Sequence, residues 1–307
     1  MAHIPDGFLS APVIAATAAV SAASLAVAVQ RSRRTLEERE APILGAATAF
    51  VFAAQMLNFP LGAGTSAHLL GGVLVAVLVG PWSGMLVLFA VLLVQALLFQ
   101  DGGIAALGAN TLNVAVIGGG VGFVLYCWVL GLTGDGSRRR MVAAGLAAFA
   151  STTLVGVAVA GELALSDTVP LVPALAAVGG GHLLVGVGEG VLTGAILALV
   201  ARSRPGLIAA HGTAERGLQP WAYVVLLTSA GLAVAAAYIA SARPDALEAT
   251  LRGLGVSDSA TSYLQSPLAG YAAPIGGAWI AAIVGVLVVF LVIWTFVRFG
   301  AKRRVSS

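Results

Sequence analysis

Residues 275–297 read IGGAWIAAIVGVLVVFLVIWTFV, a run of 23 residues without a charged side chain. A helix of about 20 apolar residues is long enough to cross the hydrocarbon core of a bilayer. The whole chain shares this character: of 307 residues, 59% are hydrophobic and 9% are charged, and the mean hydropathy is +0.98. So few polar residues cannot cover a water-facing surface. The composition therefore excludes a soluble globular protein and predicts an all-α polytopic membrane protein.

Apolar runs between charged or Pro/Gly-rich breaks predict nine membrane spans. They lie near residues 11–29, 43–59, 66–80, 83–99, 110–132, 142–164, 174–201, 221–240 and 275–297. The pair Pro81-Trp82 interrupts the apolar stretch 66–99, which we interpret as two spans joined by a tight turn. We expect residues 1–217 to form a seven-span core. Residues 218–307 then form a two-span part whose outside loop is 241–274.

The positive charges predict the orientation of these spans. Fourteen of the 16 Lys and Arg residues lie in four segments, at 30–42, 134–141, 202–220 and from 298 onward. Because positive residues next to a span resist translocation, this distribution predicts an outside N-terminus and an inside C-terminus. No basic n-region or small-residue cleavage pattern surrounds the first apolar run, so we expect no signal peptide to be removed.

Composition also limits the kinds of site. Cys127 is the single cysteine, which excludes an intramolecular disulfide and a cysteine-rich metal site and leaves oxygen and nitrogen ligands for a metal. The formal charge of +3 comes from residues placed as topology signals, so we expect lipid contact and no nucleic-acid partner. We interpret His211, beside Glu215 and Arg216, as a solvated loop residue.

The first residues, Met1-Ala2-His3, suggest a nitrogen site for a metal ion. A free α-amine, the His3 amide nitrogen and the His3 ring can form fused chelate rings around Ni(II) or Cu(II). If Met1 stays, the amine, two amides and the ring supply four nitrogens. If Met1 is removed, Ala2 and His3 supply three and a fourth must come from elsewhere.

A second histidine, His68, follows the Gly-rich stretch 58–67 on the predicted outer side, the same side as the N-terminus. A third, His182, lies seven residues before Glu189 and therefore on the same helix face. Glu189 falls deep in its predicted span, where a carboxylate must be protonated, paired or functional. The polar residues between 95 and 113 either line a site or cap helix ends. They are Gln95, Gln100, Asp101, Asn110 and Asn113.

Four motifs resemble the cobalt/nickel substrate-binding membrane subunit of energy-coupling-factor transporters, the CbiM/NikM type. They are HIPDGFL at 3–9, GTSAHLLGG at 64–72, QALLFQDGGIAALGANTLN at 95–113 and HLLVGVGEGVLT at 182–193. The segment RPDALE at 243–248 is similar to the PDGLE signature of the small two-span partner (CbiN/NikN type) of such transporters, with Ala246 in place of Gly.

The resemblance implies that the amino terminus folds into the bundle and, with His68, encloses one Ni(II) or Co(II) ion as the transported substrate. Members of the family begin Met-His, whereas this chain has Ala2 in between. Removal of Met1 would restore the spacing, which makes the implied ligand set Ala2, His3 and His68, with Met1 if it is kept. Gln95, Asn110 and Asn113 are the candidates for holding the loop and orienting these ligands.

The resemblance also implies partners and a place. These are a transmembrane coupling subunit, two ATPase subunits and the cytoplasmic membrane of the cell, with a link to cobalamin biosynthesis if the cargo is cobalt. The chain itself has no phosphate-binding G-x-x-x-x-G-K-[ST] loop, so we expect no ATP hydrolysis here and no enzyme activity. One alternative is a proton-coupled secondary carrier that uses Glu162 and Glu189. A metallohydrolase built on His182 and Glu189 finds little support, because the chain has no H-E-x-x-H.

Overall fold

A computed structural model describes most of the chain. The described residues are 3–62, 65–134, 136–203, 218–241, 243–244, 246–253, 255–256, 261–273 and 277–302. Several predictions from the sequence fall outside them. Those concern Met1, Ala2, Gly64, Arg204, His211, Glu215, Arg216, Asp245, Arg303 and Arg304.

The described residues are mostly helical. The helices are α1 (Ala11–Thr35), α2 (Ala41–Met56), α3 (Gly72–Val79), α4 (Pro81–Phe99), α5 (Leu107–Thr133), α6 (Ser137–Leu165), α7 (Leu171–Ser203), α8 (Leu218–Ile239), α9 (Ala246–Gly253) and α10 (Ala278–Lys302). Strands β1 (Phe59–Gly62) and β2 (Thr65–Ala67) form an antiparallel hairpin in which Phe59 pairs with Ala67. Turns of π-helix interrupt α4, α5 and α7, at Gln95–Phe99, Leu112–Val121 and Leu175–Gly179.

Among the described residues, seven helices are long and apolar enough to cross a membrane. They are α1, α4, α5, α6, α7, residues Pro220–Ile239 of α8 and residues Ala278–Phe299 of α10. These helices confirm the prediction of a multi-pass, all-α membrane protein. Helix α2 is also apolar but has 16 residues, which corresponds to about 24 Å and is shorter than the hydrocarbon core.

The predicted span near 66–80 is wrong. Residues 65–67 belong to the hairpin, and only Gly72–Val79 is helical, with eight residues or about 12 Å of length. Glycines with positive φ bound this helix, Gly71 at 74° before it and Gly80 at 84° after it, where other residues would be strained. A periodicity argument cannot separate a full span from a short helix followed by a sharp turn, because both are continuous apolar runs.

Close glycine contacts hold α3 inside the protein. A Cβ atom on Gly72 would lie 2.5 Å from the carbonyl carbon of Gly118, so α3 and α5 touch backbone to backbone. Leu69 and Leu70, which precede α3, are buried. The loop that carries His68 therefore runs into the bundle, where protein surrounds its non-helical backbone.

The two C-terminal helices pack on α2. A Cβ atom on Gly285 of α10 would lie 2.2 Å from the ring of Phe52, and one on Gly45 would lie 2.7 Å from Phe290. Helix α8 packs against α2 and α10. Helices α8 and α10 thus form one packed layer with α2, the helix that precedes the His68 loop.

Candidate metal centre

The N-terminal segment, residues 3–10, folds back into the bundle as non-helical chain with His3, Ile4 and Asp6 buried. The Asp6 carboxylate accepts hydrogen bonds from three backbone N–H groups that precede α5, at 3.0, 2.8 and 3.2 Å. The donors are Ile104, Ala105 and Ala106. These N–H groups belong to the turn that leads into α5, where no helical partner is available to them. Asp6 therefore ties the N-terminal segment to the start of α5.

Asn110 holds the residue next to His3 by two hydrogen bonds. Its Oδ1 accepts from the Ile4 N–H at 2.7 Å, and its Nδ2 donates to the Ile4 carbonyl at 3.1 Å. The Gly103 N–H donates to the same carbonyl at 2.9 Å. A Cβ atom on Gly103 would lie 2.2 Å from Asp6 Oδ1, so only glycine lets the segment lie so close.

The fold brings His3 and His68 together. Both side chains are buried, and their ring centroids lie 5.4 Å apart. The Nε2 atom of each ring is buried and has no hydrogen-bond partner in the described part of the chain. A ring nitrogen lies about 2.0–2.1 Å from a bound zinc-like ion, so two imidazoles on one ion have centroids about 4.5–6.5 Å apart. The distance between the two centroids is thus compatible with one ion between the rings.

The His68 loop is positioned by Glu189 of α7. The two carboxylate oxygens accept hydrogen bonds from the backbone N–H groups of Leu70 and Gly71, at 2.8 and 2.7 Å. The partner of this intramembrane carboxylate is thus the start of α3. His68 Nδ1 lies 2.9 Å from the Leu69 carbonyl. Because a carbonyl only accepts, Nδ1 carries the proton, which leaves the lone pair on Nε2.

Asp101 orients His3. Its Oδ1 lies 3.0 Å from His3 Nδ1, and its Oδ2 accepts a hydrogen bond of 2.5 Å from the hydroxyl of Tyr271. Burial would raise the pKa of Asp101, but the charge of His3 and the hydrogen bonds from His3 and Tyr271 outweigh it and hold the pKa well below its usual range. The carboxylate is therefore ionised and only accepts, so His3 Nδ1 carries a proton, and Nε2 is the ring nitrogen without a partner among the described residues.

Electrostatics favour neutral imidazole at His68. Burial, together with the positive charge of neighbouring groups including His3, lowers the pKa of His68 from 6.5 to about 3. A neutral imidazole is the form that binds metals. Burial and the charge of Asp101 raise the pKa of Tyr271, so its hydroxyl keeps the proton that it donates.

The orientation of the His3 ring decides which of its two nitrogen atoms is available to a metal ion. Fused chelation through the His3 amide uses ring Nδ1, because that nitrogen closes a six-membered ring with the ion. In the structure Nδ1 contacts Asp101 and Nε2 is free. The described orientation thus offers Nε2, and chelation through Nδ1 would need the ring to turn over.

Two side chains are not enough to hold an ion. The described residues contain no group of three or more His, Cys, Asp or Glu side chains that could do so. Further ligands must come from the backbone, the terminal amine or water. The predicted ligand Ala2 lies outside the described residues, next to His3.

The other predicted site residues differ in the groups to which they form hydrogen bonds. Gln95 donates to Gln55, which in turn donates to the Leu70 carbonyl beside His68. Asn113 instead donates to Glu162 at 2.8 Å. His182 bonds the Val178 carbonyl in its own helix.

Sequence reasoning did not assign Asp6 and Tyr271 to the site, and it named Asp101 only among the polar residues that either line a site or cap helix ends. Asp6 and Asp101 stand inside the quoted motifs, so their position was a usable signal. Tyr271 follows the predicted outside loop with no pattern to distinguish it.

Residues 3–207 match the CbiM family, which is described as the cobalt uptake substrate-specific transmembrane region. The chain belongs to the CbiM family. This match confirms the resemblance that the four motifs predict, and it spans both His3 and His68.

Curated relatives agree with this membership. The fused nickel transport protein NikMN of Rhodobacter capsulatus is 36% identical over 255 residues, which cover 76% of this chain and 73% of the relative. The putative fused nickel transport protein NikMN of Archaeoglobus fulgidus is 31% identical over 97% of this chain and 99% of its own length. The cobalt transport protein CbiM of Geobacter sulfurreducens is 32% identical over 70% of this CbiM-family chain and 64% of its own.

Two crystal structures share the fold. A transition metal transporter has a TM-score of 0.60 and 30% identity, over 73% of this chain and 99% of its own. A truncated transition metal transporter has a TM-score of 0.59 and 32% identity, over 66% of this chain and 99% of its own. The CbiM-family fold is therefore known from proteins described as metal transporters.

Proposed function

We propose that this protein is the substrate-capture subunit of an ATP-driven energy-coupling-factor importer for Ni(II) or Co(II). The observation that carries the proposal is the buried pair of His3 and His68 rings, whose centroids lie 5.4 Å apart at the end of the N-terminal segment. The ion is held by the N-terminal amine of Ala2, or of Met1 if it is kept, together with His3 and His68. Relatives named as nickel and cobalt transport proteins support the choice of ion.

The donor set explains selectivity. Amine and imidazole nitrogens suit Ni(II) and Co(II), whereas Mg(II) and Ca(II) prefer oxygen. Asp6 and Asn110 hold the N-terminal segment in the bundle, so His3 lies near His68 before the ion arrives. Preorganisation of this kind raises affinity because less ordering is needed on binding.

The proposed assembly has a transmembrane coupling subunit and ATPase subunits, because the chain has no phosphate-binding loop of its own. The subunit resides in the cytoplasmic membrane, with its N-terminus and the His3–His68 pair outside. Residues 1–217 form the metal-binding core and residues 218–307 the two-span part with the loop 241–274. The family match, which ends at residue 207, supports this division.

Native mass spectrometry of the full chain in detergent tests the proposal. The protein carries a tag only at its C-terminus and is exposed to limiting Ni(II) or Co(II). We expect one ion per chain, on chains that have lost Met1. One ion on chains that keep Met1 would move the site to the four-nitrogen terminus, and no retained ion would contradict the function.

A matched protein with the tag before Met1 serves as the control, since the tag consumes the free amine. Unchanged affinity in that protein would count against amine ligation. Uptake by cells that lack any ATPase partner would favour the secondary carrier built on Glu162 and Glu189.

A further inference from the structure

The chain that leaves α2 returns to this helix just after His68. Gln55 lies in the last turn of α2, and its Nε2 donates to the Leu70 carbonyl, 15 residues further along, at 3.0 Å. A Cβ atom on Gly71 would lie 3.5 Å from Val51, which is also on α2. The loop that carries His68 is therefore closed at its base against α2.

Side chains from two helices hold the peptide group that joins Leu70 to Gly71. Gln55 of α2 donates to its carbonyl, and Glu189 of α7 accepts its N–H at 2.7 Å. The other oxygen of Glu189 accepts the Leu70 N–H at 2.8 Å. A rotation of the Leu70–Gly71 peptide group would thus break hydrogen bonds to both helices.

The preceding peptide group, between Leu69 and Leu70, receives the His68 ring. Its carbonyl accepts from His68 Nδ1 at 2.9 Å, and its N–H is the one that Glu189 binds. The two peptide groups meet at the Leu70 Cα atom, so a restriction on one limits the movement of the other. The hydrogen bond at Nδ1 persists when an ion binds Nε2, because Nε2 is on the other side of the ring.

The direction of the Gln55 amide is determined by its two partners. The Leu70 carbonyl only accepts, so the NH2 group of Gln55 faces it. The Gln55 oxygen then accepts from Gln95 Nε2 at 3.0 Å. Both glutamines are buried, and a buried amide without partners is costly. Gln95 therefore stabilises the orientation in which Gln55 donates to Leu70.

From this arrangement we propose that Gln55 is a positioning residue of the metal site and acts on His68 through the two peptide groups at Leu70. The proposal rests on the proposed function, because it needs an ion bound by His68. Groups that orient a metal-binding histidine support the affinity of the site. Gln95 acts one step further away, through Gln55.

Isothermal titration of the full chain with Ni(II) tests the proposal through Gln55→Met, which keeps a side chain of similar length and removes the amide. The Leu70 carbonyl then loses its partner on α2. We expect the dissociation constant to rise about 10-fold, the lower end of the usual cost of losing a partner that orients a ligand. The absorption spectrum of bound Ni(II) should move toward that of His68→Ala, because a loosely held His68 leaves the ion to the N-terminal nitrogens.

Thr48→Val is the matched control on the same helix. Thr48 is buried two turns before Gln55 and bonds the Leu44 carbonyl of its own helix, so its substitution should change neither affinity nor spectrum. Gln95→Met is the second variant and leaves Gln55 in place. It should move both quantities in the same direction as Gln55→Met by a smaller factor, and it decides the matter if Gln55→Met does not fold.

A double-mutant cycle with His68→Ala tests the route. If Gln55 acts through His68, Gln55→Met should have no further effect in the His68→Ala background. The cycle is measured with Cu(II), which binds nitrogen ligands more tightly than Ni(II), so that binding without His68 remains measurable.

Wild-type Ni(II) affinity and spectrum in Gln55→Met would overturn the proposal, and so would an equal loss of Cu(II) affinity with and without His68. These results differ from failure of the proposed function, in which the wild-type protein itself binds no Ni(II) and both proposals fall.

Discussion

The Nε2 atoms of His3 and His68 are both buried and both lack a hydrogen-bond partner among the described residues, on rings whose centroids lie 5.4 Å apart. A buried polar atom without a partner costs about 1–3 kcal/mol. Two such atoms raise the free energy of the metal-free protein, and we expect an ion bound by these rings to lower it.

Replacing His68 with Ala removes one of the two imidazoles. Loss of a group that orients a ligand costs about 10- to 100-fold in affinity, so we expect loss of a ligand itself to cost at least about 100-fold. Isothermal titration with Ni(II) measures the effect. His182→Gln is the matched control, because this buried histidine bonds the Val178 carbonyl of its own helix. Wild-type affinity in His68→Ala would instead support four nitrogens from the N-terminus alone.

Glu189→Gln changes the side chain that holds the His68 loop by hydrogen bonds. The carboxylate accepts the N–H groups of Leu70 and Gly71, whereas an amide offers one oxygen and turns an N–H donor toward the other. We expect a loss of about 1–3 kcal/mol in unfolding free energy and weaker Ni(II) binding, measured by thermal unfolding in detergent and by titration. Glu162→Gln is the comparison, since Glu162 binds the side chain of Asn113. Unchanged binding with lost uptake in Glu189→Gln would favour the proton-coupled carrier.

The sequence predicts the helical membrane class and most spans, because apolar runs are local signals, whereas the metal-binding role of His3 and His68 stays a prediction. It does not predict the short helix α3, since its end depends on the conformations of Gly71 and Gly80 and on contact with α5. The length of the apolar run alone therefore gave a wrong prediction for residues 66–80.

The site was predictable only in part for a similar reason. Asn110 stands near its expected place, where it holds Ile4. Asn113 lies three residues after Asn110 in the same helix, which has π-helical turns here, and it donates to Glu162 instead. The contact between Asp101 and Tyr271 joins residues 170 positions apart, and no periodicity in either segment reports such a contact.

Gly103→Ala should displace the N-terminal segment. A Cβ atom at this position would lie 2.2 Å from Asp6 Oδ1 and 2.4 Å from the Asp6 backbone nitrogen, so one of the two chains must move. We expect Ni(II) affinity to fall by at least about 10-fold, because His3 loses its fixed place. Gly161→Ala is the matched control, since nothing lies within 4 Å of a Cβ atom there. Similar affinities in the two variants would show that docking of the N-terminal segment is not needed for binding.

Acid should destabilise the metal-free protein through His68. The pKa of this side chain is lowered from 6.5 to about 3, so between these pH values the unfolded chain takes up a proton that the folded protein excludes. Stability therefore rises with pH across this window and falls as pH is lowered from about 6.5. Asp101 acts in the same direction only near and below its usual pKa of 3.8, where the unfolded carboxyl takes up a proton and the folded one stays ionised, so the upper part of the window reports His68.

Thermal unfolding in detergent between about pH 4.5 and 7 measures the slope. We expect His68→Gln to flatten it, because glutamine does not titrate, and to leave the other titrating groups unchanged. His182→Gln controls for the loss of a buried imidazole elsewhere in the bundle. An equal slope in wild type and His68→Gln would contradict the prediction, since the burial of a neutral His68 would then have no cost in acid.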